Sequence, residues 1–164
     1  MTNPSATLGE TRAWRRRGLL HSSQRRGSEG MSNLDRFRIL LVEDFDDARE
    51  LYSTCLRSSG YEVIEAATGI EAVALARSAS PDLILMDLLL PGMDGWQATA
   101  ELKRDPRVRH VPIVALTAHA LSDERERIAR LGCDAFLAKP CLPPDLIRTV
   151  DRILGRPTAP PEAT

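Results

Sequence analysis

Five polar residues follow short apolar runs, and their types are those that handle phosphate and divalent metals. Glu43 and Asp44 follow "RILLV", Asp87 ends "LILMD", Thr117 ends "VPIVALT" and Lys139 ends "AFLAK". Clustered carboxylates repel one another unless a cation intervenes, and Mg²⁺ suits such oxygen ligands because it also accepts phosphate oxygens. A hydroxyl and an ammonium can both donate to phosphate. If these residues meet, the set predicts a phosphoryl-transfer site with an aspartate nucleophile.

Each of these residues also has an ordinary explanation when it is taken alone. Asp87 suits a helix N-cap, Glu43 and Asp44 suit a solvated turn, Thr117 is a common strand residue, and Lys139 before a proline suits the surface. Five such residues at the ends of four apolar runs, in a consistent order, favour the functional interpretation over five separate ones.

The apolar runs alternate with amphipathic stretches, which is typical of a parallel sheet covered by helices on both faces. Strands are predicted in "RILLVED", "YEVIEA", "LILMD", "VPIVALTA" and "AFLAK". Helices are predicted in "DDARELYSTCLRSSG", "GIEAVALARSA", "GWQATAELKRD", "SDERERIARLG" and a last segment that opens with Pro143 and Pro144. Ligands of such folds bind beyond the carboxyl ends of the strands, so the five polar residues are expected at one edge.

Local signals predict several details of these elements. The buried face of the first helix is expected to contain Ala48, Leu51, Tyr52 and Cys55. Ser122 is predicted as the N-cap of the fourth helix, with Gly132 at its end. Asp94, in a Pro-Gly-x-Asp-Gly stretch, is interpreted as a turn or cap residue. Since an unpaired buried carboxylate costs several kcal/mol, Asp87 is expected at the rim of the sheet and not to be buried.

The composition indicates one ordinary domain with a tail at each end. The chain has 164 residues, 43% of them hydrophobic, and a net charge of −1, which argues against binding nucleic acid through overall charge. No apolar run approaches the ~20 residues of a membrane span. The three cysteines form no C-x-x-C pair, and we expect reduced thiols. The domain is predicted at residues 35–155, with a disordered Arg-rich tail at 1–34 and a Pro-rich one at 156–164.

The N-terminal tail leaves four interpretations open. Its "RAWRRRG" cluster, with Trp14, would either contact phosphates or an acidic partner, or be a solvated segment, and the solvated segment is favoured. Alternatively, translation begins at Met31. A translocating presequence is a weaker option.

From Arg38 to Leu154 the sequence resembles the receiver domains of bacterial two-component response regulators. The resemblance rests on "LLVEDFDDARELY", "PDLILMDLLLPGMDGW", "VPIVALTAHA" and "GCDAFLAKP". It implies a flavodoxin-like (βα)5 fold, a doubly wound parallel sheet of five strands in the order 2-1-3-4-5. It also implies that Asp87 accepts a phosphoryl group from a histidine kinase or a histidine phosphotransfer protein.

The resemblance further assigns roles around Asp87. Mg²⁺ would be held by Glu43, Asp44, Asp87 and the backbone carbonyl of Leu89. Thr117 would contact the phosphate after activation, Lys139 would pair with it, and Phe136 would be the switch aromatic. Leu89 and His119 would flank the path of the attacking water, and we expect slow self-dephosphorylation because Leu89 cannot hydrogen-bond that water.

Several rival functions remain to be weighed against a phosphoacceptor. A haloacid dehalogenase-type phosphatase would need D-x-D, but Leu89 stands at the second position, and a flavin-binding module would need a Ser/Thr/Gly-rich loop instead of "EDFDDA". A pseudo-receiver would lack the complete set, whereas a phosphate shuttle in a phosphorelay remains open.

We therefore expect a cytoplasmic stand-alone receiver, not an enzyme, acting on a downstream target protein as a monomer or a phosphorylation-dependent homodimer. We expect neither DNA nor membrane binding.

Overall fold

The computed structural model describes residues 36–157, and in that range five strands alternate with five helices. The strands are β1 (Arg38–Val42), β2 (Glu62–Ala66), β3 (Leu83–Asp87), β4 (Ile113–Thr117) and β5 (Ala135–Ala138). The helices are α1 (Asp46–Ser58), α2 (Gly69–Ala79), α3 (Gly95–Arg104), α4 (Ser122–Leu131) and α5 (Pro143–Leu154). The predicted alternation is confirmed, with small differences at the ends of the elements.

The five strands form one parallel sheet in the order β2-β1-β3-β4-β5. The register places Val42 opposite Met86, Asp87 opposite Leu116, and Thr117 opposite Ala138. The carboxyl ends of β1, β3, β4 and β5 therefore meet at one edge, as the sequence pattern predicted. The flavodoxin-like α/β fold with this strand order is confirmed.

Residues that alternate along the central strands point to two separate apolar cores. In β1, Leu40 and Val42 join the core formed with α2, α3 and α4, whereas Ile39 and Leu41 join the core formed with α1 and α5. Every residue of β3 and β4 is buried, because helices cover both faces of a parallel sheet. The continuous apolar runs in the sequence follow directly from this double burial.

The helix ends follow local chemistry, with one correction. Asp94 is the N-cap of α3, and its carboxylate accepts a hydrogen bond from the Gln97 N–H at 2.8 Å, as predicted. Gly132 ends α4 in the left-handed conformation that glycine tolerates best. The prediction for Ser122 was wrong, because α4 begins at Ser122 and the N-cap is Leu121, which has no side-chain oxygen to cap with.

The predicted buried face of α1 was also wrong at one position. Leu51 is 50% exposed, whereas Tyr52 and Leu56 face the core, because the i, i+4 pair sets the inward stripe. Cys55, Cys133 and Cys141 are free thiols, as expected. None of the described helices is long and apolar enough to cross a bilayer.

The predictions for the N-terminal tail, including Trp14 and Met31, lie outside the described residues. Residues 158–164 of the predicted C-terminal tail lie outside them as well. The domain boundaries at 35 and 155 therefore stay predictions. At the last described turn, Arg156 donates a hydrogen bond to the Ser59 carbonyl at 3.1 Å, so contacts with the folded domain continue to that residue.

Candidate functional site at the carboxyl edge of the sheet

Three carboxylates gather where two neighbouring strands end. Glu43 and Asp44 follow β1 directly, and Asp87 is the last residue of β3. An oxygen of each side chain lies within 4.8 Å of an oxygen of the other two. The sequence analysis expected this cluster, and the pairing of β1 with β3 is what brings its members together.

Asp87 is more deeply buried than the sequence analysis expected. It ends its strand at the sheet edge, as predicted, but it is 3% exposed, and Glu43 is fully buried. The expectation assumed that a buried carboxylate would be unpaired, whereas the folded chain supplies Asp87 with partners. Burial is tolerated because each carboxylate oxygen of Asp87 has a partner: Oδ1 accepts from the Leu89 N–H at 2.9 Å, and Oδ2 contacts the ammonium of Lys139.

Lys139 bridges the two buried carboxylates. Its Nζ lies 2.7 Å from Glu43 Oε2 and 2.9 Å from Asp87 Oδ2. Burial disfavours the ammonium, but hydrogen bonds to Glu43 and Asp87 outweigh it and raise the pKa of Lys139. Burial, helped by repulsion from Asp87, raises the pKa of Glu43 although Lys139 acts in the opposite direction. The Lys139 ammonium thus pairs with two of the three carboxyl groups of the cluster.

Gly95 permits the close packing around Asp87. A Cβ atom built on Gly95 would lie 2.6 Å from Leu88 Cα and closer still to the Asp87 carbonyl oxygen. Both contacts are shorter than atoms allow, so only glycine fits where α3 begins against the end of β3. The sequence carries no signal for this role of Gly95, since a "DG" pair is equally typical of an ordinary turn.

Thr117 ends β4 at the same edge, and its hydroxyl is engaged by α4. Oγ1 donates to Glu124 Oε1 at 2.5 Å and lies 3.2 Å from the His119 carbonyl. The same oxygen accepts from the His119 N–H at 3.1 Å. Glu124 belongs to the charged first turn of α4, yet it is half-buried and reaches inward to Thr117. Nothing in its local pattern distinguishes it from its exposed neighbours Asp123 and Arg125.

Two arginines of α4 lie over aromatic rings. The Arg125 guanidinium lies 5.2 Å from the centre of the Phe136 ring, and that of Arg127 lies 4.5 Å from the Trp96 ring. Phe136, the predicted switch aromatic, is half-buried in β5. Through these contacts α4 is connected to both β5 and α3.

Leu89 and His119 are exposed beside the cluster. Leu89 is 60% exposed two residues after Asp87, and His119 is exposed two residues after Thr117. The backbone of each is used locally, since the Leu89 N–H binds Asp87 and the His119 N–H binds Thr117. The side chains thus remain available at the mouth of the site.

The donor set fits a hard divalent cation. All three groups of the cluster offer carboxylate oxygens, and no softer nitrogen or sulfur ligand belongs to it in the described part of the chain. Oxygen-only sets of this kind suit Mg²⁺ or Ca²⁺ better than zinc. The excess of carboxylates over the single Lys139 charge leaves a favourable field for a cation.

The fold and this edge define a class of signalling domain, in which an acidic pair, an aspartate, a hydroxyl and a lysine end successive parallel strands. The family model of the response regulator receiver domain matches residues 39–151. The chain belongs to this family, the receiver domains of two-component systems.

Relatives and solved structures agree with this assignment. The chain is 42% identical over 117 residues to the polar-differentiation response regulator DivK of Brucella ovis, covering 71% of this chain and 95% of that protein. It is similar to the chemotaxis protein CheY4 of Vibrio cholerae, with 30% identity, a TM-score of 0.69, and coverage of 72% and 98%. The receiver domain of the sensor histidine kinase PA1611 of Pseudomonas aeruginosa, solved with magnesium in its active-site cleft, gives 42% identity, a TM-score of 0.68, and coverage of 73% and 98%.

Proposed function

We propose that Asp87 accepts a phosphoryl group from a phosphohistidine of a histidine kinase or a phosphotransfer protein. The observation that carries this proposal is the position of Asp87, a carboxylate at the end of β3 that contacts Lys139 and lies within 4.8 Å of Glu43 and Asp44. A carboxylate oxygen attacks phosphorus, and the O–P bond forms as the N–P bond breaks. The freed imidazole nitrogen keeps the electron pair and takes up a proton.

Mg²⁺ would be held by the carboxylates of Glu43, Asp44 and Asp87 and by the backbone carbonyl of Leu89. When bound, the cation neutralises negative charge on the phosphoryl group during transfer. This proposal is supported by the oxygen-only donor set. It is also supported by the magnesium-bound receiver domain of PA1611, which is 42% identical.

The remaining side chains orient the acceptor and the product. Lys139 already contacts Asp87, and its ammonium balances charge on the phosphoryl group. The Leu89 N–H fixes Oδ1 of Asp87, so the two oxygens of the nucleophile are held in distinct positions. In the phosphorylated protein, the hydroxyl of Thr117 donates to the phosphate, and Phe136 repacks behind it.

The signal leaves through protein–protein contacts of the surface formed by α4, β5 and α5. The 117 residues aligned with DivK span 95% of that response regulator, which supports a signalling role for the receiver domain itself. We place the protein in the cytoplasm, with the domain at 35–155, binding a downstream protein and not DNA. It works as a monomer or as a homodimer formed upon phosphorylation.

The test is labelling by acetyl phosphate, followed by intact-mass and peptide-mass measurement. The full chain should gain one phosphoryl group on Asp87 with Mg²⁺, and EDTA should prevent this. Asp87→Asn should take up none, whereas Asp94→Asn is the matched control, because asparagine also caps a helix. Equal labelling of wild type and Asp87→Asn would overturn the assignment.

A further inference from the structure

The hydroxyl of Thr117 is committed to α4. It lies 2.5 Å from Glu124 Oε1, and its second acceptor, the His119 carbonyl, is farther away at 3.2 Å. A hydroxyl carries one proton and so donates one strong hydrogen bond at a time. Donation to a carboxylate is stronger than donation to a neutral carbonyl. Glu124 is therefore the main acceptor of the Thr117 proton.

The same proton is needed by the proposed function, in which Thr117 donates to a phosphoryl group on Asp87. Asp87 in β3 lies opposite Leu116 in the adjacent strand β4. Thr117 is the next residue of β4, so it lies close to Asp87 at the sheet edge. Its backbone is fixed, because the Thr117 carbonyl accepts from the Lys139 N–H at 2.7 Å. The donor can therefore change acceptor by rotating χ1, which for a β-branched residue means a hop between discrete rotamers.

Glu124 occupies a helix position at which a glutamate side chain commonly binds the N-cap backbone N–H. It is the third residue of α4, and in a capping box that position folds back to the N-cap N–H. The N-cap Leu121 offers no side-chain cap in return, and Glu124 binds Thr117 instead. The first turn of α4 is thus connected to the sheet edge through this contact.

The rest of α4 is held lightly. Ile128 is its one fully buried residue, and Arg125 and Arg127 hold it to Phe136 and Trp96 through ring contacts. A helix with so little buried apolar surface can shift at small cost. Loss of the Thr117–Glu124 hydrogen bond would therefore allow α4 to shift.

From these contacts we infer that Glu124 is a positioning residue that holds the Thr117 hydroxyl out of the phosphate site, so that phosphorylation must break the Thr117–Glu124 hydrogen bond. The inference rests on the proposed function of Asp87. The phosphoryl group on Asp87 and the carboxylate of Glu124 then compete as acceptors for the single hydroxyl proton of Thr117. Breaking the contact frees the first turn of α4, which couples the site to the output surface.

The test is a titration of the full chain with beryllofluoride, a phosphoryl mimic, in the presence of Mg²⁺, followed by ¹⁹F NMR. Glu124→Ala should bind the mimic on the order of tenfold more tightly than wild type, the size of one hydrogen bond to a charged group. Glu124→Gln keeps a neutral acceptor and should give a smaller gain. Glu126→Ala, which removes an exposed carboxylate of the same helix paired with Arg130, should bind as wild type does.

The Glu124→Ala substitution made in the Thr117→Ala variant distinguishes the effect of the hydrogen bond from that of charge repulsion between Glu124 and the mimic. In Thr117→Ala, removal of Glu124 should leave the affinity for beryllofluoride unchanged, because the contested proton is gone. A gain of equal size in that background would overturn the inference, and so would equal affinities of Glu124→Ala and wild type. If wild type binds no beryllofluoride at Asp87, the proposed function fails and the inference fails with it. If wild type binds it but the Glu124 variants do not behave as stated, only the inference fails.

Discussion

Lys139 and Asp87, 52 residues apart in the sequence, are joined by an ion pair of 2.9 Å at the carboxyl edge of the sheet. The same ammonium contacts Glu43 at 2.7 Å. One lysine therefore stabilises two buried carboxylates and links β5 to both β1 and β3. The contact therefore has a structural role of its own in the fold.

Replacing this lysine should expose the repulsion among the carboxylates. We expect Lys139→Met to lower the free energy of unfolding in EDTA by about 3 kcal/mol, because it leaves buried carboxylates without their partner. Mg²⁺ should then raise the melting temperature of the variant more than that of wild type, since the cation takes over the neutralising role. Thermal melts with and without Mg²⁺ measure both effects.

Lys103→Met is the matched control for that experiment. Lys103 donates to the Val111 carbonyl at 3.0 Å and pairs with Asp134 away from the cluster, so its loss should leave the Mg²⁺ increment unchanged. Equal increments for Lys139→Met and wild type would contradict the charge-balance argument.

Gly95→Ala should damage the site through sterics alone. The added methyl group has no room against Leu88 and Asp87, and we expect a loss of more than about 2 kcal/mol from overpacking, with reduced labelling of Asp87. Gly92→Ala serves for comparison, because Gly92 has a φ of +73° and open space around it. Its free energy of unfolding should fall by only about 1 kcal/mol, the penalty for alanine in a left-handed backbone conformation. Urea unfolding measures both, and equal losses would argue against the close-packing argument.

The lifetime of the phosphorylated state should depend on Leu89. We propose that its exposed side chain shields a phosphoryl group on Asp87 and cannot hold a water, so Leu89→Asn should speed the loss of phosphate by several-fold. His119→Ala should slow it modestly, because a neutral imidazole can orient the attacking water. Phosphate release from purified, Mg²⁺-loaded phosphoprotein gives the rates. An unchanged or lower rate in Leu89→Asn would show that the lifetime is set elsewhere.

A pH effect on stability is expected at Asp105, which does not belong to the carboxylate cluster. Hydrogen bonds from the Arg107 side chain and N–H, and from Arg77, hold the pKa of Asp105 well below its usual range. Because the folded state binds the proton more weakly than the unfolded state, this stabilisation is present above the unfolded pKa of about 3.9 and is lost as pH falls. Asp105→Asn should thus destabilise the protein at pH 7, and the gap from wild type should narrow below about pH 4. Urea titrations across this range measure the gap, and a constant gap would contradict the argument.

The tertiary structure decided which polar groups meet which. Lys139 was expected to pair with phosphate, yet it also holds Glu43 and Asp87 together. Glu124 carries no local signal that separates a helix cap from a partner of Thr117. Likewise, the buried carboxylate of Asp87 depends on two partners, the Leu89 N–H and the distant Lys139. These contacts depend on loop paths and rotamers, which residue types alone do not specify.

The sequence by itself determined the architecture and the edge at which the candidate site lies. Continuous apolar runs such as "LILMD" specify strands buried on both faces, and their alternation with amphipathic helices specifies a parallel sheet. Once the sheet is parallel, the ends of β1, β3, β4 and β5 must meet at one edge, so the sequence alone puts Glu43, Asp87 and Thr117 together there. Burial periodicity acts over a few neighbouring residues and can be read locally. Partner choice at the edge is a competition among nearby donors and acceptors, and only the folded chain brings the competitors within reach.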